Sequence, residues 1–161
     1  MIDDLYSDRI LRLAANMPRA GRLAAPDGTA EKTAKLCGSR ITVDVRLEDG
    51  RIADFAQEVK ACALGQAAAA VVGANVVGAT VEEVAAARDA FRAMLKTGAP
   101  SPAGRFTDLA VLAPVRDFPP RHASTMLALE ATVAAVQSAA AHKQAAEIRS
   151  SGTCHPGRTP A

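Results

Sequence analysis

The sequence predicts an α+β fold: a three-stranded antiparallel sheet covered by helices, with an N-terminal helix and a long C-terminal helix. Three patterns carry that expectation. Ile41, Val43, Val45 and Leu47 alternate with Thr42, Asp44 and Arg46, the two-residue period of a half-buried strand. Asp49-Gly50 follows, a strong hairpin signal. Ala-rich segments of helical period come after, long enough to cover one apolar sheet face.

With 161 residues the chain has room for one domain, and its 49% apolar content can build a core. Aromatic residues make up only 3%, so Ala, Val, Leu and Ile must fill that core, and an aromatic platform for stacking nucleic-acid bases is excluded. The net charge of +2 comes from Lys143, Arg149 and Arg158 set against Glu147, all beyond Ser138. The rest is neutral, and no basic face for nucleic acid follows from the totals.

Asp3 or Asp4 is placed to cap a first helix carrying Leu5, Ile10, Leu11, Leu13 and Ala14, which Met17-Pro18 ends. Pro and Gly make the next stretch a loop or extended connection. A first strand is expected over Glu31 to Cys37, a second over Ile41 to Leu47, and a third after Gly50 through Ile52, Ala53, Phe55 and Val59. Helices follow from about Leu64 to Val77 and from Val81 to Leu95. Thr80 with Glu83 forms a capping box that sets the start of the latter. A Pro- and Gly-rich loop leads to a short apolar run from Phe106 to Val115. The last helix begins near Pro120 or Arg121 and aligns Met126, Leu127, Leu129, Val133 and Val136 on one stripe. After Ala141 the stripe ends. The expected organisation is a domain over 1–137 and a frayed helix end with a disordered tail over 138–161.

The uncharged run from Ala61 to Val81 is long enough to span a bilayer. Its Ala and Gly content, Gln66, Asn75 and the Gly78-Ala79-Thr80 break favour a buried, Ala-packed helix instead. The N-terminal residues have no apolar signal-type stretch. Three cysteines, an odd number in a chain that needs no disulfide framework, fit a reducing cytoplasm.

The candidate chemistry lies at element junctions. Cys37 precedes Gly38 at the end of a strand pattern, so a turn should present it. Cys62 precedes Leu64 at a helix start, where the macrodipole and free N–H groups favour a thiolate. Lys35 and Lys60 each stand two residues before a cysteine. His122 opens the last helix. Two thiolates and an imidazole suit zinc or iron–sulfur ligation, whereas read singly each cysteine is a small core hydrophobe and the histidine a solvated cap. His142, Cys154 and His155 fall in or near the tail and read as an unligated segment.

These residues resemble the IscU/SufU/NifU N-terminal family of iron–sulfur cluster assembly scaffolds. The resemblance is carried by Leu36-Cys37-Gly38, then Asp49-Gly50-Arg51-Ile52 with Cys62-Ala63-Leu64, then Pro114-Val115-Arg116-Asp117-Phe118-Pro119 before Arg121-His122-Ala123. It runs from about Leu5 to Val136. The spacing of 25 residues between Cys37 and Cys62, with a hairpin between them, is its most specific element. The long stretch from Arg88 to Val115 is similar to the SufU branch, and His122 to the IscU branch.

The resemblance implies a SufE/NifU-like fold and a carrier rather than an enzyme. It implies sulfur from a cysteine desulfurase and delivery of a transient [2Fe–2S] cluster or iron to recipient apoproteins. Cys37, Cys62 and His122 would be the ligands; of the two thiols, Cys62 is the expected persulfide acceptor because of its helix terminus. Two departures stand out: Ser39 occupies the place of the family's aspartate, and Ala123 that of its third cysteine. The fourth donor is then Ser39, water, a tail thiol, a small-molecule thiol or a partner's cysteine. Two other expectations stand beside the scaffold: a zinc-containing sulfur acceptor, with Zn2+ ordering the site, and a docking module of the assembly machinery that holds no metal.

Overall fold

A computed structural model describes residues 6–153. Its elements are α1 (Asp8–Ala15), β1 (Gly28–Ala34), β2 (Ser39–Glu48), β3 (Arg51–Lys60), α2 (Ala63–Asn75), α3 (Val81–Thr97), a 3-10 segment (Gly104–Asp117), a single 3-10 turn (Pro119–Arg121) and α4 (His122–Thr153). The strands form one antiparallel sheet in the order β1-β2-β3. The expected α+β architecture is the observed one.

The alternation in β2 buries Ile41, Val43, Val45 and Leu47 on one face, and α4 packs against that face across β1 and β2. On its other sides α4 meets α2 and α3, so it lies between the sheet and the remaining helices. Met126, Leu127, Leu129, Val133 and Val136 are all buried there. The uncharged run after Ala61 is the α2 core helix, with nine of its thirteen residues buried. Among the described residues no helix is long and apolar enough to cross a membrane.

Local signals account for the boundaries. Asp49 and Gly50 both take positive φ, 53° and 76°, the geometry of a tight two-residue hairpin turn. Thr80 and Glu83 complete the capping box: the Glu83 amide donates to the Thr80 hydroxyl at 3.1 Å and the Thr80 amide to the Glu83 carboxylate at 3.4 Å.

Three elements differ from expectation. The first strand begins earlier and stops at Ala34, because residues 35–38 close a turn in which the Gly38 amide donates to the Ala34 carbonyl at 2.9 Å. The cap of α1 among the described residues is Ser7, whose hydroxyl accepts from the Ile10 amide; Asp3 and Asp4 lie outside those residues. The last helix runs beyond Ser138 to Thr153, and residues 141–149 are exposed. Lys143 of this extension pairs with Asp27 at 3.5 Å.

The outer sheet face is secured by one buried carboxylate. Asp44 accepts from Arg22 Nε at 2.6 Å and Nη2 at 3.1 Å, from the Leu23 amide at 3.0 Å, and from the Thr29 hydroxyl at 2.6 Å. Burial alone would push its pKa up, but the hydrogen bonds from Arg22, Thr29 and Leu23 and the Arg22 charge outweigh this and hold it below the ordinary carboxylate value. A carboxyl depressed in the folded state stabilises the fold above its unfolded pKa, and that contribution disappears as pH falls through the folded value. Thermal unfolding followed by circular dichroism should show stability falling as pH drops below about 4. Asp44→Ala should cost about 2 to 3 kcal/mol at neutral pH and flatten this acid limb; an acid limb unchanged in the variant would assign the pH dependence to other groups.

Candidate thiol site

The β1–β2 turn and the start of α2 present the two sequence-predicted thiols. Cys37 lies in the turn and is exposed; Cys62 is half-buried. Cys62 is the N-cap residue of α2, and its carbonyl accepts the Gln66 amide at 2.9 Å. It occupies the helix terminus expected of it and packs against the main core.

Each thiol has a serine partner. Cys37 Sγ and Ser39 Oγ are 2.9 Å apart, and Cys62 Sγ and Ser124 Oγ are 3.6 Å apart. The Ser39 hydroxyl is the largest influence lowering the Cys37 pKa below the ordinary thiol value. Burial opposes it, while the Ser39 amide and the Ser124 hydroxyl add to it. Hydrogen bonds to a sulfur anion favour the charged form, so the turn presents an exposed thiol poised toward thiolate.

Ser124 reaches this site because α2 stands unusually close to α4. A Cβ on Gly65 would lie 2.9 Å from the Cβ of Ala61 and 3.1 Å from the Ser124 carbonyl oxygen. Only glycine leaves that space empty, and the close approach sets the start of α2, with Cys62, beside the first turn of α4.

His122 is only 6% exposed. Its Nε2 stands 3.0 Å from the Val115 carbonyl oxygen and 3.1 Å from that of Arg116. Two acceptors require a donor, which places the proton of the neutral ring on Nε2 and the lone pair on Nδ1. That Nδ1 is buried without a partner. The expected solvated cap is therefore corrected: the ring closes the end of the 3-10 segment. Ala123 is exposed. Among the described residues no group of three or more His, Cys, Asp or Glu side chains is gathered to hold a metal ion, so Cys37, Cys62 and His122 do not form a ready-made ligand cluster.

Ser39, read from the sequence as a candidate ligand, is buried and directed at Cys37. Ser124 was not legible as a site residue, since its relation to Cys62 spans 62 positions. Lys35, Lys60 and His142 are exposed. Cys154 and His155 lie outside the described residues.

The profile of the NifU-like N terminal domain matches residues 5–125, which include both cysteines, both serines and His122. The chain belongs to that family. Similar proteins include the iron–sulfur cluster assembly scaffold protein IscU of Thermotoga maritima, 27% identical over 119 residues, covering 73% of this chain and 82% of that one. Among solved structures, the N-terminal part of a nitrogen-fixing NifU-like protein from Brucella abortus aligns with a TM-score of 0.84 and 51% identity, covering 86% of this chain and 96% of that one. A candidate iron–sulfur cluster assembly scaffold protein for the SUF system of Fervidobacterium islandicum shares the fold, with a TM-score of 0.76 at 19% identity over 83% of this chain and 98% of that one. The NifU-like architecture that the resemblance implies is thus the one found.

The Ser39 contact makes a direct prediction. The pH profile of Cys37 alkylation by iodoacetamide, resolved by peptide mass spectrometry, should have its midpoint below that of an ordinary thiol. Ser39→Ala should move it upward and slow the reaction at neutral pH by about twofold to fivefold. An unchanged profile would show that the hydroxyl does not act on the sulfur.

Proposed function

We propose that this chain is an iron–sulfur cluster assembly scaffold, a carrier rather than an enzyme, that accepts sulfur and iron at Cys37 and Cys62, holds a transient [2Fe–2S] cluster and passes it to recipient apoproteins. The observation that carries the reading is the pair of differently presented thiols in a NifU-like fold: Cys37 exposed and favoured as thiolate, Cys62 half-buried at the α2 terminus.

In this reading a cysteine desulfurase is the sulfur donor. Cys37 is its point of entry, since an accessible thiol with thiolate character is the better nucleophile. Cys62, the acceptor expected from its helix terminus, is the second thiol of the pair. The free thiols of Cys37 and Cys62 support a reducing compartment, the cytoplasm, as its place of work. The cluster is cargo, held while it forms and then released.

The donor set explains why holding would be transient. Ala123 has a methyl group where the family pattern has a third thiol. His122 has a lone pair on Nδ1 but is turned into the protein by two carbonyl oxygens. Cys37 and Cys62 therefore engage the cargo first, and His122 joins only by leaving the Val115 and Arg116 carbonyls. The fourth position falls to water, a small-molecule thiol or a partner's cysteine, donors that exchange readily.

Protein purified without oxygen should contain iron and acid-labile sulfide with a visible cluster absorbance, lost in Cys37→Ala and in Cys62→Ala. Zinc alone, lost in the same variants, would replace this reading with a zinc-containing sulfur acceptor; no metal, with none taken up on reconstitution, would leave a docking module. A second expectation concerns the vacant thiol position. Ala123→Cys should lengthen the lifetime of a reconstituted cluster several-fold, measured as decay of its visible absorbance in the presence of a chelator, and an unchanged lifetime would mean that residue 123 does not face the cargo.

A further inference from the structure

The chain's nearly neutral total conceals a local excess of positive charge. Where β1, α3 and α4 meet, a recess of about 150 Å3 opens whose polar lining is Lys32, Arg88, Arg92, Glu130 and Gln137. Lys32 is the first oddity. The residues of β1 that pair with Val45, Val43 and Ile41 of the buried sheet face are Gly28, Ala30 and Lys32, so a lysine stands where the strand otherwise has small residues. An inward-pointing charge guards an edge strand against pairing with another chain. That accounts for a lysine but not for what faces it. Arg88 and Arg92 stand one turn apart on α3 and line the same recess, and like charges at that spacing repel.

Acceptor oxygens are scarce among these groups. Arg88 gives its Nε to Asp89 at 3.1 Å, and Arg92 gives Nη2 to Glu130 at 3.4 Å with Asp89 3.9 Å from its Nη1. Among the described residues, both Nη groups of Arg88, the Lys32 ammonium and the Gln137 amide nitrogen have no hydrogen-bond partner. The Arg88 side chain is only 27% exposed, so its fork is held at the recess. Within the lining three cations face one carboxylate, and the unused groups are all donors. A small anion with several acceptor oxygens complements such a set: guanidinium forks bond an oxyanion through two oxygens at once, and a dianion answers the charge that Glu130 leaves over.

We propose that this recess is a binding site for a phosphate-type oxyanion, with Lys32, Arg88, Arg92 and Gln137 as its donors and Glu130 as the group that weakens it. The stretch of α4 that lines it, from Glu130 to Gln137, lies about 9 to 20 Å along the helix axis from Ser124, so the site is separate from the thiols and independent of the scaffold reading. The oxyanion arrives either as the free ion or as the terminal group of a phosphorylated metabolite whose remainder extends into solvent. Because the donors come from three elements, the bound ion ties β1 to α3 across α4.

The test is a titration of the full chain with inorganic phosphate, at constant ionic strength and slightly above neutral pH, followed by nitrogen–proton correlation spectra. Saturable shifts should gather at Lys32, Arg88, Arg92 and Gln137 and leave Cys37 and Cys62 unmoved. Lys32→Ala and Arg88→Ala should each weaken binding by about tenfold, the loss of one charge-assisted hydrogen bond. Glu130→Gln, which keeps the shape and removes the opposing charge, should tighten it several-fold, a direction that damage to the fold does not produce. A phosphate monoester such as AMP that binds more tightly and shifts further residues assigns the site to a phosphorylated metabolite; equal affinity assigns it to the free ion. Shifts that do not saturate, that persist in both alanine variants, or that acetate reproduces at the same concentration would overturn the proposal. So would binding that is unchanged or weaker in Glu130→Gln with an intact circular dichroism spectrum.

Discussion

The close seating of α2 on α4 is the constraint from which the site follows. A core with few aromatic side chains has to be filled by small ones, and small side chains let helix axes approach until backbone meets backbone. Gly65 against the Ser124 carbonyl is the expression of this between α2 and α4. Because α4 also lies on β1 and β2, the contact fixes the start of α2 relative to the sheet as well as to the long helix. Cys62, as the N-cap residue, is carried with it. A bulkier residue at position 65 would move the thiol, and overpacking a filled core costs about 1 to 3 kcal/mol.

The second thiol is positioned from the sheet. β1 and β2 are joined by a turn rather than a long loop, so Cys37 sits at a fixed height above the strand ends, and the first residue of β2, Ser39, is already buried and bonded to it. The rigidity of that end depends on what holds the outer sheet face, where Asp44 gathers three hydrogen bonds from the connection that precedes β1 and a fourth from Thr29 of β1 itself. The buried carboxylate and the exposed thiol are thereby linked: the first keeps β1 and its neighbour in register, and the second projects from the turn between them.

What the sequence reveals and what it conceals divide by range. Asp49-Gly50, Thr80 with Glu83, and the alternation of β2 act over a few residues, and each appears in the structure where its pattern places it. The N-terminal shift of β1 was concealed because the turn at residues 35–38 competes with the strand for the same apolar positions. The 3-10 geometry of Gly104–Asp117, with Pro114 inside it, has no period to announce it. Both cysteines were identifiable through their element junctions and their spacing. The serine at Cys62 and the inward turn of His122 were not, since they depend on contacts between segments far apart in the chain, which only the packing of α4 determines.

The departures from the family pattern act in one electrostatic direction. An aspartate at position 39 would place a second negative charge beside Cys37 and disfavour its thiolate; the Ser39 hydroxyl places a hydrogen-bond donor there and favours it. A third cysteine at position 123 would add another anion to the same small region, and Ala123 adds none. Cys37 is thus relieved of neighbouring negative charge, and the Ser39 hydroxyl stands at its sulfur instead. A site of this kind gives up part of the permanent grip on a cation that carboxylate and a third thiolate would supply. In exchange it keeps the exposed Cys37 sulfur reactive, the balance suited to the carrier role proposed above.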